Sequence, residues 1–502
     1  MPRETARICW ALAFVLALPF YLLAGQDAHD HPAPEHLGAV NFPTSCKAEV
    51  QSEFTRGVAL LHSFAYSASQ DSFKAVLEKD PDCAIARWGV AMTYFHQLWD
   101  PPVWPESLAR GREDLRQAEQ RAAGSARERG FIHALAVFYE QDSGVPYLAR
   151  ASKYADAMEA VATANPSDPE AQAFYALALL ASASPFDTTH AKQKRAAGIL
   201  EPLFAKYPQH PGVAHYLIHA CDNPEMARRG LPAARDYAAI APSAPHALHM
   251  PSHIFTRLGM WDESISSNLA AQAAARAQRD IGEELHAMDY LVYAYLQEGR
   301  DEDAAGIIGQ LRAMNTAGES DFKSSYASVA MPVRYAVERG RWADAAAIVP
   351  PPATAPAHVS AVAVWARALG LARGGHPAEA KAEVERLRQL AQQLHSSGGE
   401  YAEYWARQVE IQSLEAAGWI AQAEGRPDEA RALLEKAADQ EDAVEKLPVT
   451  PGAVIPAREQ LGNLLLEQQQ PALARKAFQT ALKNAPGRRG ALTGEAKASQ
   501  AG

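Results

Sequence analysis

From Cys46 onward the chain reads as one helix after another, punctuated by glycine or proline at regular intervals, and strand signals are nearly absent. Alanine, leucine and glutamate dominate the stretches between those breaks. A chain of this kind buries its apolar stripes by packing helix on helix, so the interval between breaks decides the architecture. Counted from Ile455, Gly462 takes position 8, Leu465 11, Ala474 20, Phe478 24, Ala481 27 and Pro486 32. Counted from Val50, Gly57 falls at 8, Leu60 at 11, Phe73 at 24 and Pro81 at 32. In LGMWDES and QEGRDEDA, Gly259 and Gly299 both take position 15, and Ser264 and Ala304 both take 20. Small residues recur where two helices would touch, and proline where the second would stop.

This spacing resembles the tetratricopeptide repeat, a helix-turn-helix unit. The resemblance runs from about residue 46 to 495, is strongest in the C-terminal unit, and is loosest between about 110 and 192. It implies an all-α fold, a right-handed superhelix of stacked helical hairpins whose first helices line a concave groove. In that family the groove-facing side chains come mainly from repeat positions two, five, nine, twelve and thirteen. The proline run VPPPATAP at 349–356 interrupts the array. A solenoid over 46–348 and C-terminal repeats over 357–495 are therefore expected on either side of it, with a short tail over 496–502.

Six histidines fall on the first helices of three successive hairpins. HPGVAHYLIHACDNPE carries His215 and His219, PHALHMPSHIFTRLGMW carries His246, His249 and His253, and EELHAMDYLVYAYLQEG carries His286 with Asp289 one turn later. Steps of three, four and seven residues stack such side chains on one helical stripe. With the register set by Pro208, Gly259 and Gly299, the histidines arrive at groove positions without having been used to define it. His215 takes position five, His219 nine and Asp222 twelve; His246 takes two, His249 five and His253 nine; His286 takes two and Asp289 five. His62 and His96 both take thirteen, and so does Arg257, the one fixed cation expected on this surface. Pro251 sits between His249 and His253 and is expected to kink the helix and turn one ring away.

Imidazole is the commonest metal ligand, and three or four nitrogen or oxygen donors suffice for zinc, copper or iron. His215/His219 and His249/His253 are i,i+4 pairs that can chelate alone. Asp222 and Asp289 are candidates for direct ligation or for orienting an imidazole from behind. Against this stands a polar seam in which the histidines hydrogen-bond to Tyr216, Tyr290 or Tyr293. No HExxH, Cys-x-x-Cys, P-loop or GxSxG is present. The aromatic cluster of Trp88, Tyr94, Phe95, Trp99 and Trp104 reads as core and hairpin packing, and ARGREDLRQAEQRAAGSARERG as a solvated helix face.

The N-terminus reads as a targeting signal. Arg3 and Arg7 precede an apolar run from Ile8 to Ala24, followed by small and polar residues. A secretory signal over 1–24 places the protein in the periplasm or outside the cell; an uncleaved run would be a membrane anchor. Residues 25–45 form a proline- and histidine-containing lead with His29, Asp30, His31 and His36, read as a solvated linker. Export into an oxidising compartment favours a disulfide between Cys46 and Cys83, which leaves Cys221 as a small buried apolar residue or a thiolate ligand. The phrases HSFAYS, DPDCAIARWGVAM, HYLIHACD and HALHMPSHIFTRLGMWDESI are together similar to an exported bacterial tetratricopeptide family, which implies fold and compartment but no reaction.

The formal charge of −11 over 502 residues supplies no basic field for nucleic acid, and no segment after the signal reads as a membrane span. Three functions remain open. One is a binding module that takes a protein or peptide along the groove, either as a plain scaffold with a structural histidine seam or by holding an acidic ligand on protonated histidines. The second is transition-metal binding. The third is a metal-dependent enzyme with an open coordination position beside Asp222 or Asp289.

Overall fold

A computed structural model describes residues 35–98, 105–121, 124–140, 144–314 and 322–501. The signal, His29, Asp30, His31, Trp99 and Trp104 lie outside the described residues. The architecture is all-α, a solenoid of consecutive antiparallel hairpins, and the described residues contain no strand. No helix among them is long and apolar enough to cross a membrane.

The hairpins close where the spacing predicts. A Cβ on Gly462 would lie 2.6 Å from Phe478, and one on Gly57 would lie 2.9 Å from Phe73. Positions 8 and 24 are therefore the contact at which the two helices of a hairpin cross, and only glycine allows the aromatic ring to lie that close. Gly259 and Gly299 end their helices in the left-handed conformation, at φ 69° and 72°.

Three sequence expectations are corrected. The lead is no solvated linker from His36 on: Phe42 is 1 % exposed against Phe54, Trp88 and Phe131, and the Ala39 amide donates to the Gln209 carbonyl. The proline run at 349–356 does not divide the core, because Tyr326 and Ala345 before it share one buried cluster with Trp365 and residues after it, and 36–502 form one compact unit. The groove expected to stand open over the histidines is covered by the chain itself, at one end by His62 and Phe64 and at the other by a segment around 445–453.

That segment links the Pro427–Glu441 and Ala457–Glu467 helices, has no regular structure, and crosses the first helices of the histidine hairpins. Every few residues it is tied down. Glu445 takes an ion pair from Arg257 at 2.6 Å, Lys446 reaches Asp222 at 3.0 Å, and the Pro448 carbonyl accepts from the Tyr290 hydroxyl at 3.2 Å. Arg334 donates to Thr450 Oγ1 and to the Gly452 carbonyl, at 2.8 and 3.1 Å. The last hairpin docks beside it, with the Trp261 indole donating to the Gly487 carbonyl and Arg488 to the Tyr293 hydroxyl.

Cys46 and Cys83 are joined in a disulfide. Cys221 is buried beneath Gly230, and burial pushes its thiol up to about 12, which suits the small apolar residue rather than the thiolate ligand. Trp88 and Phe95 are fully buried core residues, as their helical spacing suggests.

Candidate functional site: a buried histidine core

His215 and His219 stand one turn apart on the Pro211–Cys221 helix. Pro251 breaks the following helix into Pro245–His249 and Pro251–Leu258, each opened by a proline at its first position. The break does not turn a ring away: His249 and His253 still face each other, Nε2 to Nε2, at 3.0 Å. His286 comes from the Ile281–Glu298 helix, with its ring centre 4.3 Å from that of His249. All six histidines are between 0 and 8 % exposed. An acidic peptide lying on a row of protonated rings does not fit this burial.

The rings gather into two sets of three. Donor atoms of His215, His219 and His246 lie within 4.8 Å of one another, and so do those of His249, His253 and His286. The sets adjoin, with ring centres 5.0 Å apart for His215 and His246 inside the first, and 5.9 Å apart for His219 and His253 across the boundary.

Four rings have Nδ1 committed to an oxygen, and this settles their tautomers. His253 Nδ1 donates to Asp222 at 2.9 Å, and His246 Nδ1 to Glu283 at 3.2 Å. His215 Nδ1 donates to the His62 carbonyl at 2.6 Å. His249 Nδ1 donates to Asn268 Oδ1 at 2.6 Å; the Asn268 amide nitrogen is turned to the Ser264 carbonyl, so its oxygen faces the ring. In a neutral ring with the proton on Nδ1, Nε2 carries a bare lone pair. His249 and His253 therefore aim two lone pairs at each other. The Tyr290 hydroxyl lies between two acceptors, 3.2 Å from the Pro448 carbonyl and 3.4 Å from His253 Nε2.

Burial favours the neutral ring at five of the six histidines. Desolvation pushes His215, His219, His249 and His286 well below the ordinary imidazole range, and the neighbouring histidines add to the shift. His253 is brought down to about 4 by burial, with Asp222 opposing it. Asp222 stays ionised although burial acts the other way, because Lys446 and Arg257 press on it. Lys446 is itself lowered to about 8 by burial.

Of the carboxylates read from the sequence, Asp222 orients His253 from behind. Asp289 does not belong to the site. It pairs with Arg334 at 2.8 Å, and both side chains are almost wholly buried. Arg257 is not the one cation here, since Lys446 bonds to the same carboxylate and Arg334 lies one helix further on. His62 covers the first set through its carbonyl, whereas His96 stacks on Tyr66 and takes no part in either set.

A neighbouring group, His62, Glu170 and His210, also brings its donor atoms together, but each nitrogen is engaged. Glu170 bonds to His62 Nε2 at 2.8 Å and His210 Nε2 at 3.1 Å, His62 Nδ1 meets Tyr216, and His210 Nδ1 accepts from the Val213 amide. This is a closed hydrogen-bond network. On the far side of the covering segment lies a cavity of about 640 Å³, lined by Arg257, Glu445 and Lys446 together with Tyr293, Trp365 and Glu415.

Sequence reasoning missed Glu283, Asn268, Glu445 and Lys446. Glu283 lies one turn before His286 on the same helix and was legible as its neighbour. Lys446 has no local signal beyond its place in a long loop without periodicity.

No known family profile matches the chain, and no curated protein does. Solved helical-repeat structures are similar at a low level. The TPR domain of P58(IPK) is 14% identical, with 90% of this chain and 98% of that chain covered and a TM-score of 0.23. Yeast Tom70 is 11% identical, with 89% and 88% covered and a TM-score of 0.34. Cut9 in its complex with Hcn1 is 12% identical, with 93% and 78% covered and a TM-score of 0.35.

Proposed function

We propose that this helical-repeat protein is a transition-metal protein whose buried histidine core is the metal centre. The observation that carries the reading is the approach of His249 Nε2 to His253 Nε2 at 3.0 Å, with both Nδ1 protons committed elsewhere. Two lone pairs so placed call for a cation between them. A proton there would create an imidazolium in a fully buried pocket, at a cost of several kcal/mol. A metal ion meets the same demand with the rings neutral. Asp222, Glu283 and Asn268 behind the rings are the oxygens that metal-bound imidazoles use to hold their orientation. The donors are all imidazole, which suits zinc, copper or iron rather than magnesium or calcium. The Cys46–Cys83 disulfide supports placement in an oxidising compartment, in keeping with an exported protein.

The test is elemental analysis of untagged protein purified without chelator. Stoichiometric zinc, copper or iron, absent from the His249→Gln/His253→Gln variant, is expected. Metal-free protein whose melting temperature does not move on adding copper or zinc overturns the reading and leaves a scaffold with a structural histidine seam.

A further inference from the structure

We infer that the core is a paired centre holding two transition-metal ions side by side, one in each set of three histidines; this rests on the metal-binding reading above. The inference comes from a repeat within the repeat. His215 and His219 stand at positions five and nine of one hairpin, and His246 at position two of the next. His249 and His253 stand at five and nine of that hairpin, and His286 at position two of the one after. The same three-ring unit thus occurs twice, displaced by one hairpin, and stacking sets the copies edge to edge. In each unit an i,i+4 pair supplies two rings and the following first helix the third.

The chemistry of the two units also matches. In the first, His215 has Nδ1 committed to the His62 carbonyl, and its Nε2 lies 3.1 Å from His219 Nε2. In the second, His249 and His253 have Nδ1 committed to Asn268 and Asp222, and their Nε2 atoms lie 3.0 Å apart. In each unit an i,i+4 pair thus brings two ring nitrogens together with a third ring within reach. The group of His62, Glu170 and His210 has no such pair, since each of its ring nitrogens meets an oxygen or an amide. Three imidazoles leave a tetrahedral ion one position short, so two adjacent ions can share a small ligand such as hydroxide between them. Ring centres on opposite sides of the boundary lie 5.9 Å apart for His219/His253 and 6.1 Å apart for His246/His249, close enough for such sharing.

The experiment is a Cu(II) titration of the metal-free full chain, read by elemental analysis and electron paramagnetic resonance. Two equivalents are expected, with a signal integrating to well below two spins because the ions couple. His286→Gln and His215→Gln should each lose one equivalent and recover a full one-spin signal, with circular dichroism checking that the helices persist. The wild-type stoichiometry stands whether or not a variant folds. One equivalent in the wild type overturns the pairing while leaving metal binding intact. Two equivalents with two independent spins overturn the side-by-side placement. No binding overturns both.

Discussion

Oδ2 of Asp222 accepts from two donors at once, the His253 ring at 2.9 Å and the Lys446 ammonium at 3.0 Å, although Lys446 follows it by 224 residues. One buried oxygen thus joins the histidine core to the segment that covers it. Arg257 completes the arrangement, with Nε on the other Asp222 oxygen at 2.8 Å and its terminal nitrogen on Glu445.

Replacing Asp222 by Asn should therefore act on two properties together. Arg257 would keep its charge in a buried site with less to balance it, and Lys446, already lowered to about 8 by burial, would lose the carboxylate that holds its proton, costing about 3–5 kcal/mol of stability. His253 would have at best a neutral amide oxygen in place of a carboxylate behind it, and copper or zinc affinity should fall about 10–100-fold. Thermal melting and a metal titration on the same sample check both, and unchanged affinity would remove Asp222 from the site.

Asp289→Asn should separate the two effects. Asp289 balances Arg334, away from the rings, so the variant should lose about 3–5 kcal/mol while binding the same equivalents of metal. A lost equivalent in folded protein would return Asp289 to the ligand set.

Two carboxyls facing the cavity behind the covering segment give a pH signature. Burial raises Glu441 to about 7, with Asp442 adding to the shift and Arg488, Arg458 and the Ala457 amide opposing it; burial and the nearby Glu441 raise Glu415. A carboxyl raised in the folded state binds its proton more tightly there than in the unfolded chain. Its contribution is whole below the unfolded value near 4.5 and is lost as pH climbs through about 7. Glu441→Gln cannot ionise, so its melting temperature should match the wild type near pH 4.5 and exceed it increasingly up to pH 8. Parallel melting curves across that range would show that Glu441 titrates normally.

Reduction of Cys46–Cys83 opens a loop with a sequence separation of 37 residues. On chain-entropy grounds this removes about 4 kcal/mol. A melting curve with and without a phosphine reductant should show the drop, and Cys46→Ser/Cys83→Ser should reproduce it without reductant.

Much of this arrangement was legible because a helix imposes a period. The glycines at position 8 and the aromatics at 24 lie in register with the hairpin crossing, and the same count places six histidines on one face. Asp289 was misread because its position puts it on the right stripe, while its carboxylate is drawn to Arg334 on the next hairpin, a contact that no within-helix spacing reveals. The covering segment was illegible for a different reason. Its proline, glycine and threonine residues carry no period, and Glu445 and Lys446 acquire meaning only beside Asp222 and Arg257. The lead beyond His36 looked polar in composition, yet Phe42 alone inserts among three aromatic rings and anchors it.

The roof over the histidines is made by residues that leave the ribosome roughly two hundred positions after the ligands themselves. Until they follow, Asp222 and Arg257 lack Glu445 and Lys446, and that side of the core has no cover. On the metal-binding reading proposed above, an ion would enter before the covering segment docks, and docking would seal it in.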